Sequence, residues 1–426
     1  MYNYLLMRLL RIEYFPQLFV LAISVIPLMG ILGIPVISNT FLTWVYNFLI
    51  LYVIYKYRKY CFRVSNRQDY RLIGLFLLIA LIGAIRGAFI AENYWEYKSL
   101  VHGIFCTSLP VFTYIFSSAS MMQRTLYYWL KYFMPLWLLL GMWMVVIDGW
   151  HFYISPLLIL GCFLPIIRSK LWRWMILFFL FVMLVGDIGA RAQMMKACMV
   201  LLVAFGIYLR RRIPIKVLKI AHVVLLVSPV ILLVLGITGV FNIFQENSDK
   251  NSGKYVQTQV VNGQIVQTDA SADTRTFIYY EVITSALRHH YVLWGRSLAR
   301  GNDSVSFGTF TAEELKTGKY ERYMNEVCHP NIFTWLGLLG MIPWCLIYIY
   351  SSWLAIYRSN NIYMKYIGVY IAFRFFLGWI EDVNSFNISG ISVWILIAMG
   401  LSEQFRMMTS GEFRHWTNHC FPKIMR

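Results

Sequence analysis

Several cationic side chains occupy long apolar runs, where a charge within a lipid-solvated helix costs about 2.5–3.5 kcal/mol. Arg86 in GAIRGAFIA and Arg374 in IAFRFFLGWI are each predicted to lie about one turn from the outer end of their apolar runs. Arg191 in GDIGARAQMMKA begins a further run at that level, and Lys196 follows about a turn later. Guanidinium groups bind phosphate oxygens in bidentate fashion and stay protonated. These cations predict an anionic site that stabilises a leaving diphosphate by electrostatics.

The alternative is that each arginine reaches the headgroup region independently, as charged residues near the ends of membrane helices commonly do. For a single arginine this alternative is favoured, whereas a common depth for all the cations favours a shared site. No acidic pair or DxD sequence is expected beside them to hold Mg²⁺. The predicted site therefore uses no metal and no cofactor.

Two further candidates lie in a long polar segment of the second half. Arg275 in SADTRTFIYY is expected at the start of a helix. His329 in EVCHPNIFTWLGLLGMIPW comes just before an apolar run, where a neutral imidazole could accept a proton from a sugar hydroxyl. The alternative is that His329 caps or packs the helix entrance. Adjacent side chains rarely point at one target, so His289–His290 and Cys328 are interpreted as structural.

The composition indicates what kind of chain positions these residues. Of the 426 residues, 59% are hydrophobic and only 14% are charged, and the mean hydropathy is +0.59. Soluble domains usually carry about 25% charged residues. The net charge of +18 lies in short basic clusters between apolar runs, which encode membrane topology, so nucleic-acid binding is the weaker interpretation. The seven cysteines are scattered singly, without the spacing of a zinc site or a disulfide framework.

Apolar runs of about 20 residues can cross a bilayer as helices. The sequence predicts an all-α polytopic membrane protein of about 12 transmembrane helices. The runs are Phe15–Ile37, Phe41–Tyr55, Leu72–Ala91, Leu100–Ser118, Leu126–Ile147, Phe152–Ile167, Leu171–Val185, Met194–Leu209, Val217–Val240, Ile332–Tyr350, Tyr363–Ile380 and Ile388–Leu401.

The charges between these runs predict the orientation. If the N-terminus is cytoplasmic, every second connector should be basic. The connectors that should be inside contain Lys56, Arg58, Lys59, Arg63, Arg67 and Arg71; Arg124; Arg168, Lys170 and Arg173; Arg210, Arg211, Arg212 and Lys216; Arg358 and Lys365; and Arg406, Arg414, Lys423 and Arg426. The opposite connectors are mostly acidic or neutral, including Glu381 and Asp382. Both termini are therefore expected on the cytoplasmic side.

One connector, Phe241–Asn331, is polar, about 90 residues long, and holds ten of the twenty acidic residues. Loops this long are usually functional. VQTQVVNGQIVQT predicts a β-hairpin near 255–268 that turns at Asn262–Gly263. Asp273 predicts the N-cap of an amphipathic lid helix near 274–292 on the membrane surface. The predicted organisation is 1–240 for helices 1–9, 241–331 for a large outer loop, 332–402 for helices 10–12, and 403–426 for a cytoplasmic tail.

Three segments resemble the O-antigen ligase and O-antigen polymerase family of bacterial envelope enzymes. GDIGARAQMMKACMVLLV is similar to that family's small-residue–Arg helix start. ADTRTFIYYEVITSALRHHYVLWGRS resembles the arginine and amphipathic helix of its periplasmic loop, and HPNIFTWLGLLGMIPW resembles the helix entrance after the loop. The resemblance covers residues 171–350. The chain departs from it with Ala-Arg-Ala at 190–192, where Ser-Arg-Gly is commoner, and His-Pro-Asn at 329–331, where His-Asn is commoner.

The resemblance implies a metal-independent, inverting glycosyltransferase of the bacterial inner membrane, with the large loop in the periplasm. Such an enzyme moves a glycan from undecaprenyl diphosphate to an acceptor hydroxyl. It implies that Arg191 and Arg275 bind the diphosphate and that His329 orients or deprotonates the acceptor. The further diphosphate candidates, from the predicted topology, are Arg86, Arg374 and Lys196.

Neither the residues nor the resemblance determines which acceptor the enzyme uses. A polymerase uses another lipid-linked repeat unit, a ligase uses lipid A-core, and a related branch uses a protein Ser or Thr. The polymerase is preferred because each O-antigen or capsule locus carries one, whereas a genome usually needs only one ligase. The expected partners are the lipid-linked donor, the glycan or lipid A-core acceptor, the bilayer and a chain-length regulator. The alternative of another class is a lipid-linked-glycan flippase or transporter, which predicts internal repeats and discontinuous helices; the sequence contains no evident repeat.

Overall fold

The computed structural model describes residues 12–31, 39–61, 64–144, 150–186, 191–237, 256–261, 264–269, 275–304 and 307–423. Within these ranges the fold is all-α apart from two short antiparallel strand pairs. The first half contains α1 (Phe15–Val20), α2 (Ile26–Ile31), α3 (Thr40–Lys56), α4 (Arg58–Cys61), α5 (Arg71–Ile90), α6 (Tyr94–Ser108), α7 (Phe112–Phe116), α8 (Ala119–Tyr128), α9 (Met134–Met144), α10 (Trp150–Tyr153), α11 (Ser155–Gly161), α12 (Lys170–Val185) and α13 (Arg191–Tyr208).

The second half contains the strands and the most buried helices. In chain order these are α14 (Ile215–Ile237), β1 (Val256–Val261), β2 (Gln264–Asp269), α15 (Arg275–Arg288), β3 (Asn302–Asp303), β4 (Glu321–Arg322), α16 (Cys328–Tyr357), α17 (Ile362–Leu377), α18 (Ile388–Leu401), α19 (Glu403–Met407) and α20 (Ser410–His419). Every residue of α18 is buried, as are most of α17, so these two helices form the centre of the fold.

The apolar helices indicate a membrane protein. In the described part of the chain, six helical stretches are long and apolar enough to cross a membrane: Ile12–Met29, Arg67–Ile90, Tyr94–Phe116, Arg191–Tyr208, Ile215–Leu235 and Cys328–Tyr357. The apolar helices α3 and α18 are shorter. Helix α5 leaves a stripe at helical spacing exposed, formed by Leu75, Leu78, Ile82, Ile85 and Phe89. A soluble monomer rarely exposes so continuous an apolar face, whereas lipid solvates it.

The predicted run Phe152–Ile167 is not a single spanning helix. The chain there forms α10, α11 and a separate 3-10 turn over Leu164–Ile166. Pro156 stands in the first turn of α11, and Pro165 stands inside the 3-10 turn. Proline lacks the amide hydrogen that a continuous helix needs, so it begins or ends helices more readily than it continues them. The interpretation of this run as one span is therefore wrong.

Helix α16 is broken in its first half. Gly337 has φ 64° and ψ −162°, a conformation outside the helical region that glycine adopts without a Cβ clash. The amides that lose their helical acceptors at the break bond to a preceding loop: Leu338 donates to the carbonyl of Val292 (2.9 Å), and Leu339 donates to that of Leu293 (3.2 Å). The predicted continuous helix Ile332–Tyr350 is thus two helical pieces, with the backbone of the loop docked between them.

The long connector between α14 and α16 has its own internal structure. β1 pairs antiparallel with β2, with Val261 opposite Gln264, in the region where the hairpin was predicted. The turn residues Asn262 and Gly263 and the predicted N-cap Asp273 lie outside the described residues. Helix α15 then packs Ile278 and Val282 against Val327.

Buried ion pairs tie this connector to the start of α6. Arg300 donates to both carboxylate oxygens of Glu321, and Lys319 Nζ lies 2.6 Å from Glu96 Oε1. Glu96 is fully buried. The charges of this network compensate one another, so it stabilises the connector and leaves little net charge for a ligand.

The C-terminal segment packs at the opposite end of the helices from the long connector. Arg406 forms a buried ion pair with Asp69 at the start of α5, and the amide of Arg168 donates to Asn418 Oδ1 (2.7 Å). The long connector instead contacts the starts of α6 and α16. The candidate site lies at this connector end, where α17 leads into α18.

Candidate functional site

A buried ion pair marks the site. Lys196 Nζ lies 2.7 Å from Glu381 Oε1, and the two side chains are 1% and 12% exposed. Gln193, one turn earlier on α13, donates to the same oxygen (3.0 Å). Residues three positions apart share one face of a helix, so α13 offers both groups to the connector that follows α17. Removing one partner of such a pair leaves an uncompensated buried charge.

Arg374, one turn before the end of α17, is a buried cation without a carboxylate partner among the described residues. Its side chain is buried, 4% exposed, and its Nε has no hydrogen-bond partner. The guanidinium lies close enough to Lys196 for the two charges to interact. Within the described residues no carboxylate lies within ion-pair distance of Arg374. A buried guanidinium beside an ammonium favours the binding of an anion.

The connector between α17 and α18 supplies a second set of unsatisfied polar atoms. Asp382 Oδ1 accepts from the amide of Asn384 (2.9 Å), while Asp382 Oδ2 has no hydrogen-bond partner. Neither atom of the Asn384 side-chain amide has a partner, although the residue is 1% exposed. Buried polar groups are normally paired, so this cluster is suited to bind water or polar ligand atoms.

Asp382 also has the protonation behaviour of a functional carboxyl. Burial, together with the neighbouring charge of Glu381, raises the pKa of Asp382 to about 7, against the hydrogen bonds from the Asn384 amide and the Asn331 side chain. A carboxyl with a pKa near neutrality exchanges protons readily at physiological pH. Such shifts concentrate at catalytic and binding sites.

His329 lies in the first turn of α16 and is fully buried. Its Nε2 lies 3.0 Å from the carbonyl of Phe375, to which it donates, and its ring packs edge-on against Trp379. A Cβ at Gly378 would come within 2.7 Å of Nε2, so the ring and the connector touch directly. The contacts are those of the packing alternative. Nδ1 is left buried without a hydrogen-bond partner and is the ring atom still able to accept a proton.

The other predicted cations lie in different settings. Arg191 begins α13 and is exposed. Arg275 begins α15, and its side chain lies outside the described part of the structure. Arg86 donates to the carbonyls of Trp294 (2.7 Å), Gly295 and Arg296 (2.5 Å), so it holds the loop that docks into the break of α16. The structure thus brings together Lys196 and Arg374, and it assigns the donors of Arg86 to the loop backbone.

Two carboxylates that the sequence did not assign to the site lie beside these cations. Glu381 contacts Lys196 directly, and Asp382 and Asn384 follow it in the same connector. From the sequence alone, the two carboxylates indicate only an outer connector. The signal that could have identified them is their position, because EDVN comes directly after an apolar run that contains an arginine.

Comparison with known proteins identifies no relative: no family model matches the chain, and no curated protein or solved structure is significantly similar to it. The resemblance of residues 171–350 to O-antigen ligases and polymerases therefore rests on its three motifs alone. The chemistry of the site has to be inferred from its own side chains.

Proposed function

We propose that the chain is a membrane glycosyltransferase that moves a glycan from a polyprenyl diphosphate to an acceptor hydroxyl. The observation that carries the proposal is Arg374, a buried guanidinium with no carboxylate partner among the described residues, beside the Lys196 ammonium. Excess buried positive charge is costly unless an anion compensates it. A diphosphate offers the paired oxygens that a guanidinium binds best, and its lipid tail suits the surrounding apolar helices.

In this reaction the acceptor oxygen attacks the anomeric carbon from the face opposite the diphosphate. The bond between the anomeric carbon and the diphosphate oxygen breaks, so the configuration inverts and the diphosphate leaves with the electron pair. Arg374 and Lys196 stabilise the negative charge that develops on it. Arg191 adds a third cation where α13 begins, and the first amides of that helix carry partial positive charge towards the same end.

The acceptor hydroxyl loses its proton to a base, and two residues compete for that role. The sequence favours His329, whose Nδ1 is free to accept a proton but is buried. The geometry favours Asp382: its Oδ2 is likewise buried without a hydrogen-bond partner, but the residue as a whole is part-exposed and its pKa is about 7. We assign the proton to Asp382 and give His329 the task of holding the connector through Phe375.

The test uses undecaprenyl diphosphate itself, the carrier common to any such donor, so the sugar need not be known. Purified protein in lipid nanodiscs is expected to bind undecaprenyl diphosphate more tightly than undecaprenyl monophosphate. Arg374→Ala should weaken binding at least about tenfold, and Arg374→Lys should recover only part of it because the planar fork is lost. Arg358, exposed at the other end of the helices, is the matched control, and Arg358→Ala should bind normally. Equal binding by Arg374→Ala would contradict the proposal.

The repeat-unit polymerase is the proposed form of this activity, with ligase and protein glycosylation as the alternatives. Supplied only with its lipid-linked repeat unit, a polymerase lengthens the glycan, whereas a ligase needs lipid A-core and a protein glycosyltransferase needs a polypeptide. Transfer should continue in EDTA. This activity requires a matching topology. We propose twelve spans in a bacterial inner membrane, with both termini in the cytoplasm and residues 241–331 in the periplasm. Labelling of Asn262→Cys from the outer face of intact inner membranes tests that topology.

A flippase or transporter is the second candidate, because the break of α16 at Gly337 is a discontinuous helix of the kind that transporters use. In this structure the break is filled by the backbone of residues 292–296. The two functions differ in their product. A flippase moves an intact lipid-linked glycan across reconstituted vesicles, whereas the proposed enzyme releases undecaprenyl diphosphate without moving it.

A further inference from the structure

A cleft of about 390 Å³ opens at the connector end of the helices, between the starts of α3 and α6 and the long connector. We call it the aromatic cleft. Its α6 wall comes from positions spaced by three and four residues, which place four side chains on one helical face. These are Trp95, Lys98, Ser99 and His102.

Aromatic rings from four separate parts of the chain line the cleft. Trp44 comes from the first turns of α3, Trp95 from α6, Tyr323 from the connector and Trp335 from α16. Trp335 is 3% exposed, and its indole Nε1 donates to the carbonyl of Tyr323 (3.3 Å), so these two residues are held together. The negative face of an aromatic ring attracts the weakly positive C–H hydrogens that line one side of a sugar ring.

Polar groups are interleaved with these rings. The Tyr323 hydroxyl is buried without a hydrogen-bond partner, and burial raises its pKa to about 12, so it stays protonated and can donate. Thr43 and Ser99 add hydroxyl groups, and the Lys98 ammonium lies 5.0 Å from the centre of the Trp95 ring. No carboxylate is among the residues that line the cleft. The Thr43 hydroxyl already bonds to the carbonyl of Asn39 and to the Tyr46 hydroxyl. An acyl chain would leave the Tyr323 hydroxyl unpaired, whereas a saccharide offers both hydroxyls and C–H faces.

We propose that the aromatic cleft binds a saccharide and, given the proposed glycosyltransferase function, that it holds the acceptor glycan. It contains no arginine, so it lacks the guanidinium fork on which the proposed diphosphate site depends. It also lies on the side of α6 that leads towards the proposed base: His102 Nε2 lies 3.3 Å from Cys106 Sγ, and Cys106 is close enough to Asp382 for the two groups to interact electrostatically. The acceptor would thus reach the site along α6, and the donor along α13 and α17.

Saturation-transfer NMR tests this with the full-length protein in nanodiscs, free of sugar-headed detergents. The probes are free N-acetylglucosamine, galactose and rhamnose. At least one should receive saturation on its ring C–H protons. Trp95→Ala should weaken that binding about tenfold, the size expected for one lost aromatic contact, and Trp95→Phe should restore most of it. Trp174→Ala, at an exposed tryptophan of α12, is the matched control and should not change it.

If Trp95→Ala does not fold, the double variant Thr43→Val with Ser99→Ala tests the polar side of the same cleft, with the same expected loss. Absence of saturation transfer in the unaltered protein, or unchanged saccharide binding in the cleft variants, would overturn the proposal. A phospholipid that binds tightly to the unaltered protein and is released only in the cleft variants would also overturn it. Trp95→Ala should bind undecaprenyl diphosphate normally. If the protein binds saccharide but not undecaprenyl diphosphate, the proposed enzymatic function is refuted and the saccharide site is retained. If it binds undecaprenyl diphosphate but not saccharide, only the proposed saccharide site is refuted.

Discussion

Lys196 and Glu381, 185 positions apart in the sequence, form a buried ion pair with 2.7 Å between Nζ and Oε1. This pair joins the beginning of α13 to the connector between α17 and α18. The same connector carries Asp382 and Asn384, whose side chains keep unpaired polar atoms. The ion pair is therefore both a tertiary contact and one wall of the candidate site.

Glu381→Gln should lower the free energy of unfolding by about 3–5 kcal/mol, because the Lys196 ammonium would stay buried without its counter-charge. The control is Glu326→Gln, which removes the partner of Arg322 in an i,i+4 pair whose carboxylate is 59% exposed. That change should cost about 0.5 kcal/mol or less. Thermal unfolding in detergent measures both. Equal destabilisation by the two variants would mean that the buried pair is not structurally important.

Gly337→Ala should disrupt folding, because a Cβ at this position would lie 2.3 Å from the carbonyl oxygen of Leu293. The control is Gly318→Ala, a glycine with nearly the same positive φ but no atom within 4 Å of its Cβ position. Gly318→Ala introduces only the backbone strain of a positive φ, without a steric clash, and should lower the free energy of unfolding by about 1–2 kcal/mol. Protein abundance and the melting temperature separate the two. A Gly337→Ala variant as stable as Gly318→Ala would show that the docked loop is not close-packed there.

Asp382 should make stability depend on pH. Its pKa of about 7 in the folded protein exceeds the usual value near 3.8, so the folded state binds a proton more tightly than the unfolded state. Stability should therefore fall as the pH rises from about 4 to about 7, with a slope of up to about 1.4 kcal/mol per pH unit. Asp382→Asn, which is uncharged throughout, should flatten this slope.

The control for that measurement is Asp303→Asn. Although burial opposes it, hydrogen bonds from Arg296 and His289 hold the pKa of Asp303 below its usual range. The ionised Asp303 carboxylate therefore stabilises the folded state above the pKa that it has in the unfolded chain, and this stabilisation is lost only in acid. This variant should be less stable at neutral pH but keep the slope of the unaltered protein between about pH 5 and about 7. A slope that survives in Asp382→Asn would assign it to another group.

The assignment of the base predicts opposite results for two variants. Asp382→Asn should lower glycan transfer about 10²-fold or more, the usual contribution of a general base, with carrier binding unchanged. His329→Gln should keep near-normal transfer, because an amide N–H can still donate to the carbonyl of Phe375. Loss of transfer in a folded, carrier-binding His329→Gln variant, with activity retained in Asp382→Asn, would return the role of base to His329.

The sequence by itself determined the local structure of this protein. Runs of apolar side chains favour helices in lipid because a helix satisfies its own backbone hydrogen bonds, and each predicted run contains helix in the structure. The prediction failed at Phe152–Ile167, where two prolines divide the run, and at Gly337, where the break depends on a distant loop. Local sequence cannot reveal such a break, since the loop carbonyls replace the helical acceptors.

Only the tertiary structure decided what each charge does. The sequence singled out Arg86, Arg374 and Lys196 equally, as cations within apolar runs. Packing then gave Arg86 three backbone carbonyls and Lys196 a carboxylate, and it left Arg374 buried without one in the described part of the chain. The physical reason is that an ion pair, or a hydrogen bond from a guanidinium to a backbone carbonyl, depends on which residues meet in space. Two of these partners lie 185 and 208 positions away, beyond the reach of any helical or strand periodicity.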